Sequence, residues 1–176
     1  MLAEKGADMK MALPDGYTPL MCAVRESHMD TVNVLLERRV NVNAKTTNGL
    51  TALTDATRLG NVRIVKLFLD RGADPAGGYI PDSFIAFQGR SLAIKAKKKQ
   101  LRDILKPITK TASQDGFRIN ADSNMAQIIT LQTKGSWNKV LHEMSKKNHL
   151  LLVVKEKEVF VLPYDPATIK RAALGI

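Results

Sequence analysis

Cysteine, histidine and aromatic residues are all scarce in this chain, and each scarcity removes a class of function. Among 176 residues there is 1 cysteine, Cys22, so no intramolecular disulfide can form and a reducing compartment is compatible with the sequence. Free cysteine behaves as a small apolar side chain, so Cys22 is expected to be buried in packing. The 3 histidines are His28, His142 and His149, and none has a cysteine or carboxylate at a metal-like spacing. Asp55 lacks a clustered second carboxylate. No glycine-rich phosphate loop or dinucleotide fingerprint is present. These residues offer no catalytic constellation, no metal site and no cofactor site, and the chain reads as a non-enzyme. The longest aliphatic run, Leu150 to Val154, is too short to cross a bilayer, and Met1-Leu2-Ala3-Glu4-Lys5 carries no signal-peptide core. A cytoplasmic or nuclear location is expected.

What the chain does have is repetition. Gly16-Tyr17-Thr18-Pro19-Leu20-Met21-Cys22-Ala23 is followed 33 residues later by Gly49-Leu50-Thr51-Ala52-Leu53-Thr54-Asp55-Ala56. Thr18 and Thr51 supply capping hydroxyls, Pro19 suits a first helical position, and Ala23 and Ala56 allow close helix packing. Val32, Leu35 and Leu36 recur as Val65, Phe68 and Leu69, an apolar stripe at helical spacing that needs a neighbour to cover it. Gly-Ala-Asp closes the segment at both Gly6 and Gly72, where glycine takes a left-handed turn. Arg39 stands at the same turn in the copy between them. A side chain there costs about 1–2 kcal/mol.

These motifs resemble the ankyrin repeat, with its T-P-L-x-x-A signature and period of about 33 residues. The resemblance implies a mainly α, helix-turn-helix solenoid over residues 1–112: a partial copy at 1–13, copies at about 14–46 and 47–79, and a degraded copy at 87–112. That last copy, opening at Gly89-Arg90-Ser91-Leu92, comes 40 residues after Gly49, so an insertion separates it from its predecessor. A fainter copy threads Ile128, Leu131, Gly135, Val140 and Met144. Pro107 falls inside the second helix of the degraded copy and is expected to end or kink it.

By the same resemblance, partner-contacting positions lie at turn tips, here Tyr17, Leu50 and Arg90, and late in the first helix, here Arg25, Glu26, Arg58, Leu59, Lys98 and Lys99. One late-helix position reads Arg25, Arg58, Lys98 across three copies, a possible cationic ladder for an acidic partner. Asn43 occupies the turn position that an asparaginyl hydroxylase can modify in ankyrin repeats.

The formal net charge is +10, and the excess sits late in the chain. Residues 89–112 hold eight Lys/Arg and one Asp/Glu, whereas residues 1–88 hold ten of each. A solvated helix flank, an acidic protein, an anionic membrane surface and nucleic acid all fit such a patch. Nucleic acid is the weaker match, because no aromatic lies between Phe87 and Phe117 to stack on bases.

The insertion, residues 76–88, carries Tyr79, Ile80, Phe84 and Ile85 around Pro81-Asp82 and reads as a hairpin, serving either as a partner anchor or as a lid. Beyond residue 112, two β-prone runs flank Lys155-Glu156-Lys157-Glu158, a hairpin signal, and Asp165-Pro166 opens a final helix. Residues 113–176 are therefore expected to be a degenerate repeat plus an α/β cap on the solenoid. Trp137 is expected to pack into this region. The function implied is a monomeric protein-protein interaction module or scaffold. The alternatives are the targeting region of a larger enzyme or secreted effector, and nucleic-acid binding through the basic third copy.

Overall fold

Thr18 and Thr51 each end an extended segment and start a helix. The computed structural model that shows this describes residues 11–121 and 128–174, with all side chains there except those of residues 95–99, 128–132, 134 and 173–174. The Thr18 hydroxyl accepts the Met21 amide at 3.3 Å, with Pro19 in the first turn. At Thr51 the cap is reciprocal: its hydroxyl accepts the Thr54 amide at 3.2 Å while Thr54 Oγ1 accepts the Thr51 amide at 3.0 Å.

The helices that follow are α1 (Pro19–Arg25), α2 (Met29–Glu37), α3 (Ala52–Arg58) and α4 (Val62–Asp70). Their apolar stripes are buried: Leu20, Met21 and Val24 on α1, Val32, Leu35 and Leu36 on α2, Leu53 and Ala56 on α3, and Ile64, Val65, Phe68 and Leu69 on α4. Each large side chain so buried contributes about 1.5–3 kcal/mol. Arg39 does adopt the left-handed turn, at φ 53°, as Gly72 does at 78°. The opening Gly6-Ala7-Asp8 lies outside the described residues.

Two compact units divide the chain, one comprising residues 1–79 with 166–176, the other Ile80–Asp165. The final helix, α8 (Pro166–Leu174), thus belongs with the repeats. Ala172 packs so closely on Gly72 that a Cβ there would lie 2.2 Å from the Ala172 Cβ.

The second unit is built differently from a repeat. Its elements are α5 (Asp82–Ala86), β1 (Ser91–Gln100), α6 (Leu101–Gln114), β2 (Arg118–Ala121), β3 (Ile128–Ser136), α7 (Trp137–Lys147), β4 (Leu150–Lys155) and β5 (Glu158–Pro163). β1 and β3 form an antiparallel ribbon from Ser91 opposite Ser136 to Gln100 opposite Ile128, and a second sheet has the order β2-β5-β4. In that sheet β5 lies parallel to β2 and antiparallel to β4. The core gathers Leu101, Ile104, Leu105 and Ile108 of α6, Trp137, Val140, Leu141 and Met144 of α7, and one face of the sheet through Leu152, Val159 and Val161.

Four sequence expectations are corrected here. Ser91–Gln100 is a strand, not the first helix of a third copy; burial alternates from Ser91 to Ile94, and the helical stripe begins only at Leu101. The helix α6 runs through Pro107 to Gln114, so of the expected end or kink the end is excluded. The insertion is not a hairpin: a 3-10 turn at Pro75–Gly77 and the short α5 replace it, with Pro81 at the N-cap of α5. The faint copy through Ile128 and Met144 is the strand β3 followed by α7.

The hairpin at Lys155-Glu156-Lys157-Glu158 does form, with Glu156 at φ 52° in its turn. Residues 113–165 nevertheless belong to a unit with its own core, beginning at Ile80.

That unit contains an internal echo. The strand β1 runs directly into α6 and β3 directly into α7, and the junction residues Gln100 and Ser136 share φ near −65° (−66° and −64°). Leu101, Ile104, Leu105 and Ile108 match Trp137, Val140, Leu141 and Met144 at a constant offset, all buried. Each helix then closes on a left-handed residue, Gly116 at φ 77° and His149 at 52°. The strand-helix-strand unit is present twice, with β5 added between the two final strands.

Candidate functional site

The repeat position that gives Arg25 and Arg58 lies at the end of α1 and of α3, and both side chains are exposed. Each guanidinium stacks on a tyrosine: Arg25 over the Tyr17 ring at 5.3 Å, and Arg58 over the Tyr79 ring at 5.2 Å. The two rings arrive by different routes. Tyr17 precedes its own helix, its amide held by Asp15 Oδ1 at 3.0 Å. Tyr79 follows the Pro75–Gly77 turn, its amide donated to Thr57 Oγ1 at 2.8 Å.

Asp55 ties adjacent copies together. It is buried on α3, and the Tyr17 hydroxyl donates to its Oδ2 at 3.2 Å. Tyr17 as a hydrogen-bonding partner holds the Arg25 pKa above the ordinary arginine value, with Asp55 adding to the effect. Sequence reasoning set Asp55 aside as a lone carboxylate and placed Tyr79 in the insertion. The signal for Asp55 was its position, one residue before the alanine that recurs as Ala23 and Ala56 in the two copies of the motif; Tyr79 had no sequence signal linking it to Arg58.

Of the other expected contact residues, Glu26 caps the C-terminus of α1 and is exposed, and Leu59 does the same for α3 at 42% exposure. Leu50 is half-buried, its amide donated to Thr46 Oγ1 at 3.1 Å. Cys22 corrects the expectation of burial: it is exposed, one turn before Arg25. It stands off the apolar stripe of Leu20, Met21, Ala23 and Val24, whereas Asp55, at the equivalent position of α3, is buried with the Tyr17 hydroxyl bonded to it.

Arg90, Lys98 and Lys99 are not on the repeat helices. Arg90 belongs to the second unit, where its backbone amide donates to Asp115 Oδ2 at 2.8 Å and its Nε to Oδ1 at 3.0 Å. Lys98 and Lys99 lie on β1, outside the described side chains. The cationic ladder therefore has two rungs on repeat helices.

Asn43 bridges copies through its side chain, which donates to the Gly72 carbonyl at 3.0 Å and accepts the Asp74 amide at 2.7 Å. The insertion residues separate in role. Phe84 is buried in the second unit among Phe117 and Trp137, with ring centroids 6.4 and 5.7 Å away, and Ile80 packs on the same core, while Ile85 is 37% exposed. Trp137 is buried as expected, its indole donating to Asp115 Oδ2 at 2.9 Å. The Arg90 amide, with the Trp137 indole and the Arg90 side chain, holds Asp115 below the ordinary carboxylate pKa. Among the described residues no cluster of three or more His, Cys, Asp or Glu is placed to hold a metal, and no helix is long and apolar enough to cross a membrane.

Residues 1–76 match the family model for ankyrin repeats, in three copies. This segment is an ankyrin-repeat array. Its relatives carry the same repeats in longer chains. The mouse ankyrin repeat and SAM domain-containing protein 6 is 43% identical over 63 residues, 35% of this chain and 7% of that one. The Drosophila melanogaster ankyrin repeat and KH domain-containing protein mask is 41% identical over 96 residues, 54% of this chain and 2% of that one. A probable E3 ubiquitin-protein ligase of rice, XBOS33, is 44% identical over 70 residues, 39% of this chain and 14% of that one. The chain spans only a small fraction of each. Ankyrin repeats are in general protein-protein interaction modules, and this array has the helix pairs and turns of one.

Proposed function

We propose that the ankyrin array is a binding module for a protein partner of acidic character, which it receives on the face bearing Tyr17, Arg25, Arg58 and Leu59. The observation that carries this reading is the pair of exposed, tyrosine-stacked arginines one repeat apart. An arginine held against a ring loses less freedom on binding and still carries N–H donors for carboxylates. Glu26 at the rim disfavours carboxylates close to the end of α1 and so narrows where an acidic group can sit.

The test is an affinity capture from cell extract, comparing the wild-type chain with the Arg25→Glu, Arg58→Glu double variant after circular dichroism shows that both fold. Loss of a partner from the variant alone supports the reading. Retention of every partner by both counts against it. Fractionation checks the expected cytoplasmic or nuclear location, and sedimentation the expected monomer.

A second reading, the targeting region of a larger enzyme, takes its support from the rice relative, whose name is that of a probable ubiquitin ligase. Nucleic-acid binding rests on the charge of residues 89–112 and requires steeply salt-dependent affinity. Hydroxylation of Asn43 requires its two bonds to the Gly72–Asp74 turn to open first, so the modified form is expected at the cost of a looser repeat junction.

A further inference from the structure

We propose that this face reads an extended acidic segment carrying two carboxylates three residues apart, one for Arg25 and one for Arg58; the inference rests on the protein-binding reading above.

Arg25 and Arg58 occupy the same position of successive repeats, at the C-terminal ends of α1 and α3. The two helices pack against each other, and packed helices lie about 8–10 Å apart, the spacing we take for the two arginine positions. A polyproline II segment rises about 3.1 Å per residue with three residues per turn. Its residues i and i+3 are therefore about 9 Å apart and on the same side. In a flat strand residues i and i+3 point to opposite faces, so the match is to the polyproline II geometry.

Presentation supplies the second step. The Arg25 and Arg58 guanidinium carbons lie over the Tyr17 and Tyr79 rings, 5.3 and 5.2 Å from their centroids. The Tyr17 ring is held through its hydroxyl on Asp55, and the Tyr79 backbone is anchored through its amide on Thr57. A guanidinium over a ring keeps N–H donors that can take a carboxylate, all of them at Arg58 and those not shared with the Tyr17 hydrogen bond at Arg25. Neither arginine has a carboxylate within ion-pair distance among the described contacts. Leu59 and Cys22 on the same helices are exposed, and the acids nearby are Glu26 at the rim and the buried Asp55, which is bonded to the Tyr17 hydroxyl.

The experiment uses the full chain, labelled with nitrogen-15, and three acetylated, amidated peptides. One is Pro-Glu-Pro-Pro-Glu-Pro, one places its two glutamates adjacent, and one has glutamine at both positions. The expected result is that the first peptide moves the Arg25 and Arg58 side-chain Nε–H signals and binds about tenfold more tightly than the glutamine peptide, as two partly exposed charge-assisted pairs provide. The adjacent-glutamate peptide is expected to fall between them. Tyr79→Leu keeps the Arg58 charge and is expected to weaken the first peptide several-fold, whereas unchanged affinity would show that stacking does not present Arg58 and would overturn that step.

Equal binding of the glutamine peptide at Cys22 and Leu59 overturns the acidic specificity and leaves the binding face intact. Equal binding of the two diacids overturns the spacing. All three peptides leaving Cys22, Leu59 and both arginines unmoved overturns the inference together with its choice of face. A fourth peptide with phosphoserine at both positions separates the sources of negative charge: affinity more than tenfold above the glutamate peptide assigns the site to a phosphorylated segment and overturns the carboxylate assignment.

Discussion

Thr57 accepts the Tyr79 amide at 2.8 Å while donating back to the Leu53 carbonyl at 2.9 Å. Its neighbour one turn earlier behaves alike, Thr54 Oγ1 donating to the Gly77 carbonyl at 2.6 Å. In the preceding repeat the same two positions are Val24 and Met21, both fully buried apolar side chains. The change from apolar to hydroxyl marks a change of neighbour: α1 packs against another repeat helix, whereas α3 meets the backbone of residues 77–79. Two threonines thus fit the end of the helical array to a turn segment, and the same bonds deliver Tyr79 to Arg58.

Thr57→Val keeps the shape and removes the acceptor. The Tyr79 amide is then left without its partner, and the chain is expected to lose about 1–3 kcal/mol. Urea unfolding followed by circular dichroism measures this, and the Tyr79 ring signals report whether its stacking on Arg58 is lost with it.

Gly72 and Gly49 make a matched pair, at φ 78° and 76°. A Cβ at Gly49 meets nothing, so Gly49→Ala is expected to cost only the left-handed strain of about 1–2 kcal/mol. At Gly72 the added carbon collides with Ala172, and Gly72→Ala is expected to cost more and to expose α8. Urea midpoints and limited proteolysis near residue 171 give the two readouts.

Stability is expected to fall on mild acidification, with His142 as the source. Burial, and then Lys146, lower its pKa from the ordinary 6.5, with Glu143 opposing. The unfolded chain therefore binds the proton first, so stability is complete above about pH 6.5 and declines as pH drops through that value toward the lower folded one. His142→Gln should flatten this part of the stability profile.

At more acid pH the group is Asp115, whose folded pKa is lowered from 3.8, chiefly by the Arg90 amide. Its contribution is present above 3.8 and is lost as pH falls through the lower folded value. Asp115→Asn should remove that contribution, together with the Arg90 ion pair, and shift the acid unfolding midpoint of the second unit upward.

The first unit was legible because its signals are local. Thr18, Thr51, Pro19, Arg39 and Gly72 act within a few residues, and the apolar stripes repeat at a fixed offset. The second unit hid its architecture behind a real period. The offset between Leu101 and Trp137 resembles a repeat length, and its helical stripes are genuine, so α6 and α7 were found as helices while β1 and β3 were absorbed into them. What distinguishes those strands is pairing with each other, a contact between residues some forty positions apart in sequence that no local pattern records. The site divided the same way: Arg25 and Arg58 were legible from register, whereas Tyr79 reaches Arg58 only through the Thr57 hydroxyl.

Cys22 offers the most direct measurement. It is exposed one turn before Arg25 on the proposed face and is the chain's single cysteine. Its alkylation rate with a maleimide, measured for the free chain and for the chain bound to its captured partner, tests whether that partner covers the Arg25–Arg58 surface. The account predicts fast labelling when free and strong protection when bound; equal rates in a saturated complex would contradict it.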